Sequence, residues 1–122
     1  MALRIKRASD GETEERTGAP IFEGVVHGHA LVDSSMSKDI QAAYVHFSAG
    51  ARTRMHRHTS DQLLLVVSGI GKVGDADGDH VIATGDSVLI PAETPHWHGA
   101  GDTGSPMTHL NLIRGDSETT VL

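Results

Sequence analysis

The sequence predicts an all-β protein whose strands form one sandwich or barrel. Short segments rich in β-branched residues recur between turn residues along most of the chain, which is typical of such folds. No stretch of useful length keeps a helical apolar period. The length of 122 residues suits one domain, and because aromatic residues make up only 3%, the core must come mainly from Val, Ile, Leu and Ala.

The predicted strands follow one another closely and are separated by turn residues. A D-A-D-G-D sequence between two of them predicts a hairpin with a Gly turn. In chain order, the predicted strands cover residues 21–26, 29–32, 40–48, 53–58, 62–68, 71–74, 80–83, 87–90, 96–100 and 107–114.

These strands place a single barrel domain at residues 20–114. Residues 1–19 are expected to form a flexible N-terminal arm, since most of them are polar or charged. Residues 115–122 are similar in character and are expected to form a C-terminal tail.

One predicted strand, with the sequence L-L-L-V-V at residues 63–67, is apolar on both faces. Side chains alternate between the faces of a strand, so both faces need cover. The barrel interior covers one face, and a second subunit or a second sheet of a sandwich would cover the other. We expect a homodimer that uses this sheet, with a central sandwich strand as the alternative.

Composition excludes several classes of function. The net charge of −6 argues against nucleic-acid binding, which needs basic patches. No apolar run approaches the roughly 20 residues of a membrane span, and no signal peptide is apparent. The absence of cysteine excludes disulfides and thiolate ligands and fits a cytoplasmic protein.

Four residues form a candidate ligand set for one divalent metal. His56 and His58 are two apart on a predicted strand, so both imidazoles leave the same face. Gln62 follows a short turn and can return to that face, and His96 arrives after a loop stiffened by two prolines. Imidazole suits the borderline transition metals, and three nitrogens with one oxygen leave room for water or substrate.

The spacing of these residues resembles the two conserved motifs of the cupins. Gln62 stands where the first motif usually has Glu, Glu93 replaces a Gly of the second, and Ala100 replaces its Asn. The resemblance implies a jelly-roll (double-stranded β-helix) barrel with one metal at its mouth. It also implies that the ligands are His56, His58, Gln62 and His96. The matching patterns are Gly50-x5-His56-x-His58-x3-Gln62-x6-Gly69 and Gly85-x5-Pro91-x4-His96.

The Gln at position 62 has an electrostatic consequence. A carboxylate ligand would cancel one positive charge of a divalent ion, whereas a carboxamide cancels none. The metal should therefore be a stronger Lewis acid and hold anions better. Gln62 must bind through its oxygen, which leaves its NH2 group to donate a hydrogen bond.

Other polar residues are expected beside the metal. His98 shares a strand face with His96, His109 shares one with Asn111, and Thr53 precedes the first ligand. Two histidines that do not bind the metal and one hydroxyl would suit proton transfer near neutral pH. The alternative is that both histidines are half-exposed rim residues.

The segments G-A-R-T-x-x-H-x-H, H-W-H-G-A and M-T-H-L, together with the Gln ligand, resemble the bacterial manganese-dependent hydroxynitrile lyases of the cupin fold, and the match runs from about residue 48 to 110. That similarity implies cleavage or formation of a cyanohydrin, with Thr53, His98 and His109 lining the pocket and one of the histidines exchanging the proton. It also implies Mn as the metal, while Fe, Ni, Zn and Co would accept the same ligands. Ile113 departs from the pattern, because those lyases carry Gln there.

Two other functions stay open at this point. Cupin metals with open positions also activate oxygen, so an Fe- or Mn-dependent dioxygenase is one. A non-catalytic module that binds a metal or a small ligand is the other. The remaining histidines and Trp97 are expected to take no part in ligation. Those histidines are His27, His29, His46 and His80.

Overall fold

The structure, a computed structural model, describes residues 2–122 and consists of strands, turns and loops, with no helix in that range. The all-β prediction is therefore confirmed. Met1, the first residue of the expected arm, lies outside the described residues. The strands are β1 Glu14–Glu15, β2 Phe22–Glu23, β3 Val26–Val32, β4 Ile40–Phe47, β5 Arg52–Thr53, β6 His56–His58, β7 Gln62–Asp75, β8 Gly78–Ala83, β9 Ser87–Ile90, β10 Trp97–Gly99, β11 Met107–Arg114 and β12 Thr119–Val121.

Ten strands form one antiparallel sheet that curls into a barrel, in the order β1-β3-β4-β11-β7-β10-β5-β2, with β8 and β9 also paired to β7. The long strand β7 joins the two halves. Its first part pairs with β11 and β9, and its second part pairs with β10 and β8. No helix among residues 2–122 is long and apolar enough to cross a membrane.

The sequence predicted a break in β7 near its glycines, but the strand is continuous. Gly69 has a φ of +80°, and a Cβ atom there would lie 2.0 Å from the carbonyl oxygen of Pro106. A glycine is thus needed where β7 passes close to the start of β11. It marks a close approach of two backbones rather than a turn.

The main core lies between the two halves of the sheet and is largely aliphatic, as predicted. Phe47 and Met107 are its two largest members, and each is 1% exposed. Both come from the half that carries the expected proton-transfer residue His109. The buried cluster consists of Val26, Phe47, Ala51, Val66, Val73, Ile82, Ala100 and Met107.

Short strands also form outside the expected barrel limits. Glu14–Glu15 in the expected arm pairs with β3, and Thr119–Val121 in the expected tail pairs with β6. The second pairing has a physical reason. Apart from β12, β6 is paired among the described residues only through an isolated bridge between His56 and His96, so β12 supplies hydrogen-bond partners to an edge that would otherwise lack them. The domain boundaries stay a prediction.

The first half of β7 alternates between a buried and an exposed face. Leu64 is fully buried, whereas Leu63 is 37% exposed on the outer side of the sheet. Ile40, Leu89 and Leu112 lie around Leu63 and line one shallow outer groove with it. We call these four residues the outer apolar strip. No second sheet covers this strip within residues 2–122.

Candidate metal and catalytic site

Three histidines meet inside the barrel. His56 and His58 come from β6, and backbone hydrogen bonds of 2.9 Å in both directions between His56 and His96 fix the third beside them. Each offers a ring nitrogen, and these nitrogens lie within 4.8 Å of one another. All three side chains are buried. Strand alternation and one isolated bridge thus bring together the three histidines that the spacing singled out.

Backbone carbonyls hold two of these rings. His56 Nδ1 donates to the carbonyl oxygen of Arg54 at 2.7 Å, and His96 Nδ1 donates to that of Thr94 at 2.8 Å. A neutral imidazole has one N–H, so each of these rings carries its lone pair on Nε2. The local chain therefore selects the tautomer that a metal ligand needs.

The third ring is held differently. His58 Nδ1 lies 2.8 Å from Thr119 Oγ1, a hydroxyl supplied by β12. Thr119 lies in the expected C-terminal tail, and this contact was not predicted from the sequence. The β-branched run from Thr119 to Val121 was the only available signal.

Gln62 is also oriented by a partner. Its Nε2 donates to Asn111 Oδ1 at 2.7 Å, so its Oε1 points away from Asn111. Gln62 is 4% exposed, and the pairing of β7 with β11 sets Gln62 opposite Ile113, next to Asn111. The hydrogen bond expected from the amide NH2 group is present, and Asn111 is its acceptor.

The buried polar atoms of this cluster that lack a hydrogen-bond partner are suited to bind a metal ion. His58 Nε2, His96 Nε2 and Gln62 Oε1 are buried and have no hydrogen-bond partner among the described residues. An unpaired buried polar atom is costly, so three of them converging on one space call for a shared partner. Imidazole nitrogens with one amide oxygen suit a divalent transition metal.

Burial keeps these ligands unprotonated. It lowers the pKa of His56 to about 4, and the neighbouring His96 and His58 lower it further. The pKa of His58 is also lowered to about 4, again mainly by burial. Burial lowers the pKa of His96 as well. At neutral pH all three rings are neutral and can bind a cation without first losing a proton.

His98 and His109 form a buried pair next to the cluster. His109 Nε2 lies 2.9 Å from His98 Nδ1, and the ring of His98 stacks on that of His96 with centroids 5.6 Å apart. His109 is completely buried, so it is not a half-exposed rim residue, and His98 is buried as well. The outer atoms of the pair, His98 Nε2 and His109 Nδ1, have no partner among residues 2–122.

Burial is the main reason that both members of this pair are neutral at neutral pH. It lowers the pKa of His109 to about 4. The pKa of His98 lies well below its ordinary value because of burial, and the proximity of His109 and of the three clustered histidines adds to the effect.

Thr53 contacts this histidine pair through the backbone of His98. It is 1% exposed, and its Oγ1 accepts a hydrogen bond of 3.0 Å from the backbone N–H of His98. The structure places Thr53 in the wall of the pocket, where it also anchors β10. Its own hydroxyl proton is free to point into the cavity.

These side chains line a small cavity of about 120 Å³. Its polar wall includes three of the candidate ligands, His56, His58 and Gln62, together with Thr53, His98, His109 and Asn111. Its apolar wall includes Ile21, Phe22 and Val45. Phe22 packs edge-on against Phe47, with ring centroids 6.1 Å apart. No pattern in the sequence indicates that residues just after the expected arm close the pocket, because this contact depends on the pairing of β2 with β5.

The remaining histidines and Trp97 lie away from the cluster. His27 and His46 are cross-strand neighbours, and His46 Nδ1 lies 2.8 Å from Thr108 Oγ1. Trp97 points to the opposite side of β10 from His98, where the guanidinium of Arg52 sits 3.9 Å from the ring centroid. Trp97 is thus a packing residue, as the alternation along β10 predicted.

Sequence comparisons agree with this geometry. A family model described as a cupin domain matches residues 43–113, which contain every candidate site residue. A protein named (R)-mandelonitrile lyase from Granulicella tundricola is 34% identical over 111 residues, which cover 90% of this chain and 83% of that protein.

Solved structures share the fold. A cupin-like protein from Thermotoga maritima has a TM-score of 0.83 and 28% identity, covering 93% of this chain and 87% of its own. The polyketide cyclase RemF from Streptomyces resistomycificus has a TM-score of 0.82 over the whole of this chain and 86% of its own, but only 17% identity. The second likeness concerns the fold alone.

Proposed function

This chain belongs to the cupin family, and from that premise we propose that it is a metal-dependent lyase that cleaves or forms cyanohydrins. The observation that carries the proposal is the buried His98–His109 pair directly beside a three-histidine cluster, two members of which line the same small cavity as the pair. The similarity to a protein named (R)-mandelonitrile lyase supports the same reaction class.

The proposed metal ligands are the Nε2 atoms of the three clustered histidines and the Oε1 atom of Gln62. We expect one divalent transition metal per chain, with Mn favoured and Fe, Ni, Zn or Co able to take its place. When bound, such an ion would supply Lewis-acid stabilisation of negative charge on a substrate oxygen or on cyanide. The neutral carboxamide of Gln62 leaves that positive charge undiminished.

His98 is the proposed acid and base. When His98 Nδ1–H donates to His109 Nε2, the Nε2 atom of His98 holds a lone pair and can accept the proton of a cyanohydrin hydroxyl. When His109 Nε2–H donates instead, His98 Nε2–H becomes the donor. The 2.9 Å contact can thus be made with either proton placement, one suited to cleavage and the other to synthesis.

In cleavage, the hydroxyl proton passes to His98 while the bond between the carbinol carbon and the nitrile carbon breaks. The electron pair of that bond leaves with cyanide, and the hydroxyl oxygen forms the carbonyl of an aldehyde or ketone. The proton on His98 then returns to cyanide. Thr53, with its hydroxyl proton free, can donate a hydrogen bond to the substrate oxygen.

The cavity indicates a small substrate with an apolar substituent. Its volume of about 120 Å³ and its wall of Ile21, Phe22 and Val45 would accept a short hydrocarbon or a single ring. The polar end would face the ligand cluster.

The experiment begins with metal analysis of protein purified without added metal. An anaerobic assay of the metal-loaded protein with a small aromatic cyanohydrin should then release cyanide and aldehyde in equal amounts. Consumption of oxygen with a diol or diketone, and no cyanide release, would instead favour a dioxygenase. Tight ligand binding that His98→Ala leaves intact, with no turnover of any kind, would favour a binding module.

Assembly and location belong to the same proposal. We expect a homodimer formed through the outer apolar strip, because three of its four apolar side chains are exposed and a second copy would cover them. The cytoplasmic location stays a prediction from the sequence.

A further inference from the structure

We propose that Thr119 is a positioning residue of the metal centre: its hydroxyl accepts the Nδ1–H of His58 and so turns the Nε2 atom of that ring toward the ion. This inference rests on the proposed metal binding. It makes β12 part of the site, although β12 contributes no ligand and lies on the surface.

His58 depends on a side chain in a way that the other two histidines do not. The Nδ1 atoms of His56 and His96 donate to carbonyls two residues earlier in their own segments, and no side-chain substitution removes those acceptors. The partner of His58 lies 61 residues away in sequence and 2.8 Å away in space.

The strand pairing explains how Thr119 reaches this ring. Thr119 lies directly opposite His58 in the β12–β6 ladder, so both side chains leave the same face. Reciprocal bonds of 3.0 Å between Thr59 and Glu118 hold one end of β12, and Leu122 N donates to Met55 O at 2.9 Å at the other. The hydroxyl is therefore placed by the backbone on both sides of it.

The direction of the hydrogen bond follows from the proposed role of His58 as a metal ligand. If the hydroxyl donated to Nδ1, the proton of the neutral ring would sit on Nε2. Gln62 Oε1 could accept from that N–H, but Nε2 would then hold no lone pair for an ion. Donation from Nδ1 to the hydroxyl leaves a lone pair on Nε2, which is what a metal requires.

The test compares Thr119→Val, which removes the hydroxyl at nearly constant shape, with Thr119→Ser, which keeps it. Thr120→Val is the matched control, because Thr120 is the neighbouring exposed residue and lies opposite Arg57 instead of a ligand. Mn²⁺ is titrated into each metal-free protein, and the free ion is followed by electron paramagnetic resonance. We expect Thr119→Val to raise the Kd by about 10-fold to 100-fold, and the other two variants to stay within about twofold of the wild type.

A second measurement requires no metal. Nitrogen-15 NMR of the metal-free protein should find His58 with its proton on Nδ1 in the wild type, in Thr119→Ser and in Thr120→Val. In Thr119→Val the proton should shift in part or wholly to Nε2. An unchanged tautomer in Thr119→Val, together with an unchanged Kd, would overturn the proposal.

Neither measurement uses a cyanohydrin, so a failure here is distinct from a failure of the proposed reaction. A wild-type protein that takes up no Mn²⁺ would overturn the metal part of the proposed function. In that event the tautomer of His58 in Thr119→Val would still decide whether Thr119 orients the ring.

Discussion

His98 and His109 share a buried hydrogen bond in which one ring must donate and the other must accept, with 2.9 Å between His98 Nδ1 and His109 Nε2. The state of one ring therefore sets the tautomer of the other. A proton that binds to the outer nitrogen of one ring therefore changes whether the outer nitrogen of the other ring donates or accepts a hydrogen bond. In this way two neutral rings can act as one acid–base unit.

Removing His98 should abolish most turnover without releasing the metal. His98→Ala is expected to lower cyanohydrin cleavage by about 100-fold to 10,000-fold, the range for general acid–base catalysis. His109→Phe should lower it less, and the double variant should be little worse than His98→Ala alone, since the two act as a unit. Steady-state kinetics measures this, and Mn²⁺ binding within about twofold of the wild type is the control. Strictly additive losses would contradict a shared role.

Replacing Gln62 by Glu should weaken inhibition by anions. One unit charge at roughly 4 Å is worth about 1 kcal/mol even in bulk water, so azide should inhibit Gln62→Glu about fivefold less strongly, or weaker still. Inhibition constants for azide on both proteins, each fully loaded with metal, measure the difference. Equal constants would rule out the argument that the neutral ligand makes the centre more attractive to anions.

Asn111 should determine which atom of Gln62 meets the metal. Asn111→Leu removes the acceptor of Gln62 Nε2, so the amide can rotate and metal affinity should fall by about 10-fold. Asn111→Asp keeps an acceptor oxygen in that place and should retain the affinity. Calorimetric titration with Mn²⁺ compares the three proteins, and an Asn111→Leu variant that binds as tightly as Asn111→Asp would count against the role of this contact.

Stability of the metal-free protein should fall with acid in the range set by the buried histidines. The folded-state pKa values of His56, His58 and His109 are lowered to about 4. Their stabilising effect is then complete above the ordinary value of 6.5 and is lost as the pH falls toward 4, because the unfolded chain takes up the protons first.

In that interval each such histidine lowers the free energy of unfolding by up to about 1.4 kcal/mol for every unit by which the pH falls. Urea unfolding at pH 7.5, 6 and 5 measures it. The midpoint should fall with pH, and His109→Gln should make the fall shallower. A midpoint that does not change between pH 7.5 and 5 would mean that these rings are protonated in the folded protein.

A charge within the outer apolar strip should dissociate the expected dimer. Leu89 is 64% exposed on β9, and Leu89→Lys would bury an unpaired charge at the interface, which costs about 3 kcal/mol or roughly 100-fold in affinity. Val81 on β8 is 65% exposed but lies outside the strip, so Val81→Lys is the matched control. Analytical ultracentrifugation should find dimers for the wild type and the control. A monomeric wild type would end this proposal.

The alternation of residues along single strands was sufficient to predict much of the fold and the histidine cluster. Alternation along a strand is a short-range rule, so it placed His56 and His58 on one face and separated Trp97 from His98. The same rule put His109 and Asn111 together on β11. The barrel class followed from the β-branched segments, and comparison with known cupins confirmed it.

Contacts between distant segments were beyond the reach of the sequence. Nothing in the chain specifies that Thr119 should pair with His58, because register between strands is set by backbone pairing and turn geometry. The predicted break at Gly69 was wrong for a similar reason. The sequence does not distinguish a glycine that is needed for close approach to Pro106 from a glycine that is needed for a turn. Phe22 reached the pocket only through the pairing of β2.

The position of Trp97 makes the site optically readable. It is the single tryptophan of the chain, it lies between His96 and His98 in sequence, and it is 6% exposed with the Arg52 guanidinium over its ring. Its indole emission therefore comes from one environment with no other tryptophan to obscure it. A bound paramagnetic ion on the far side of β10 would quench that emission, so the intrinsic fluorescence of the unlabelled protein would report occupancy of the centre in real time.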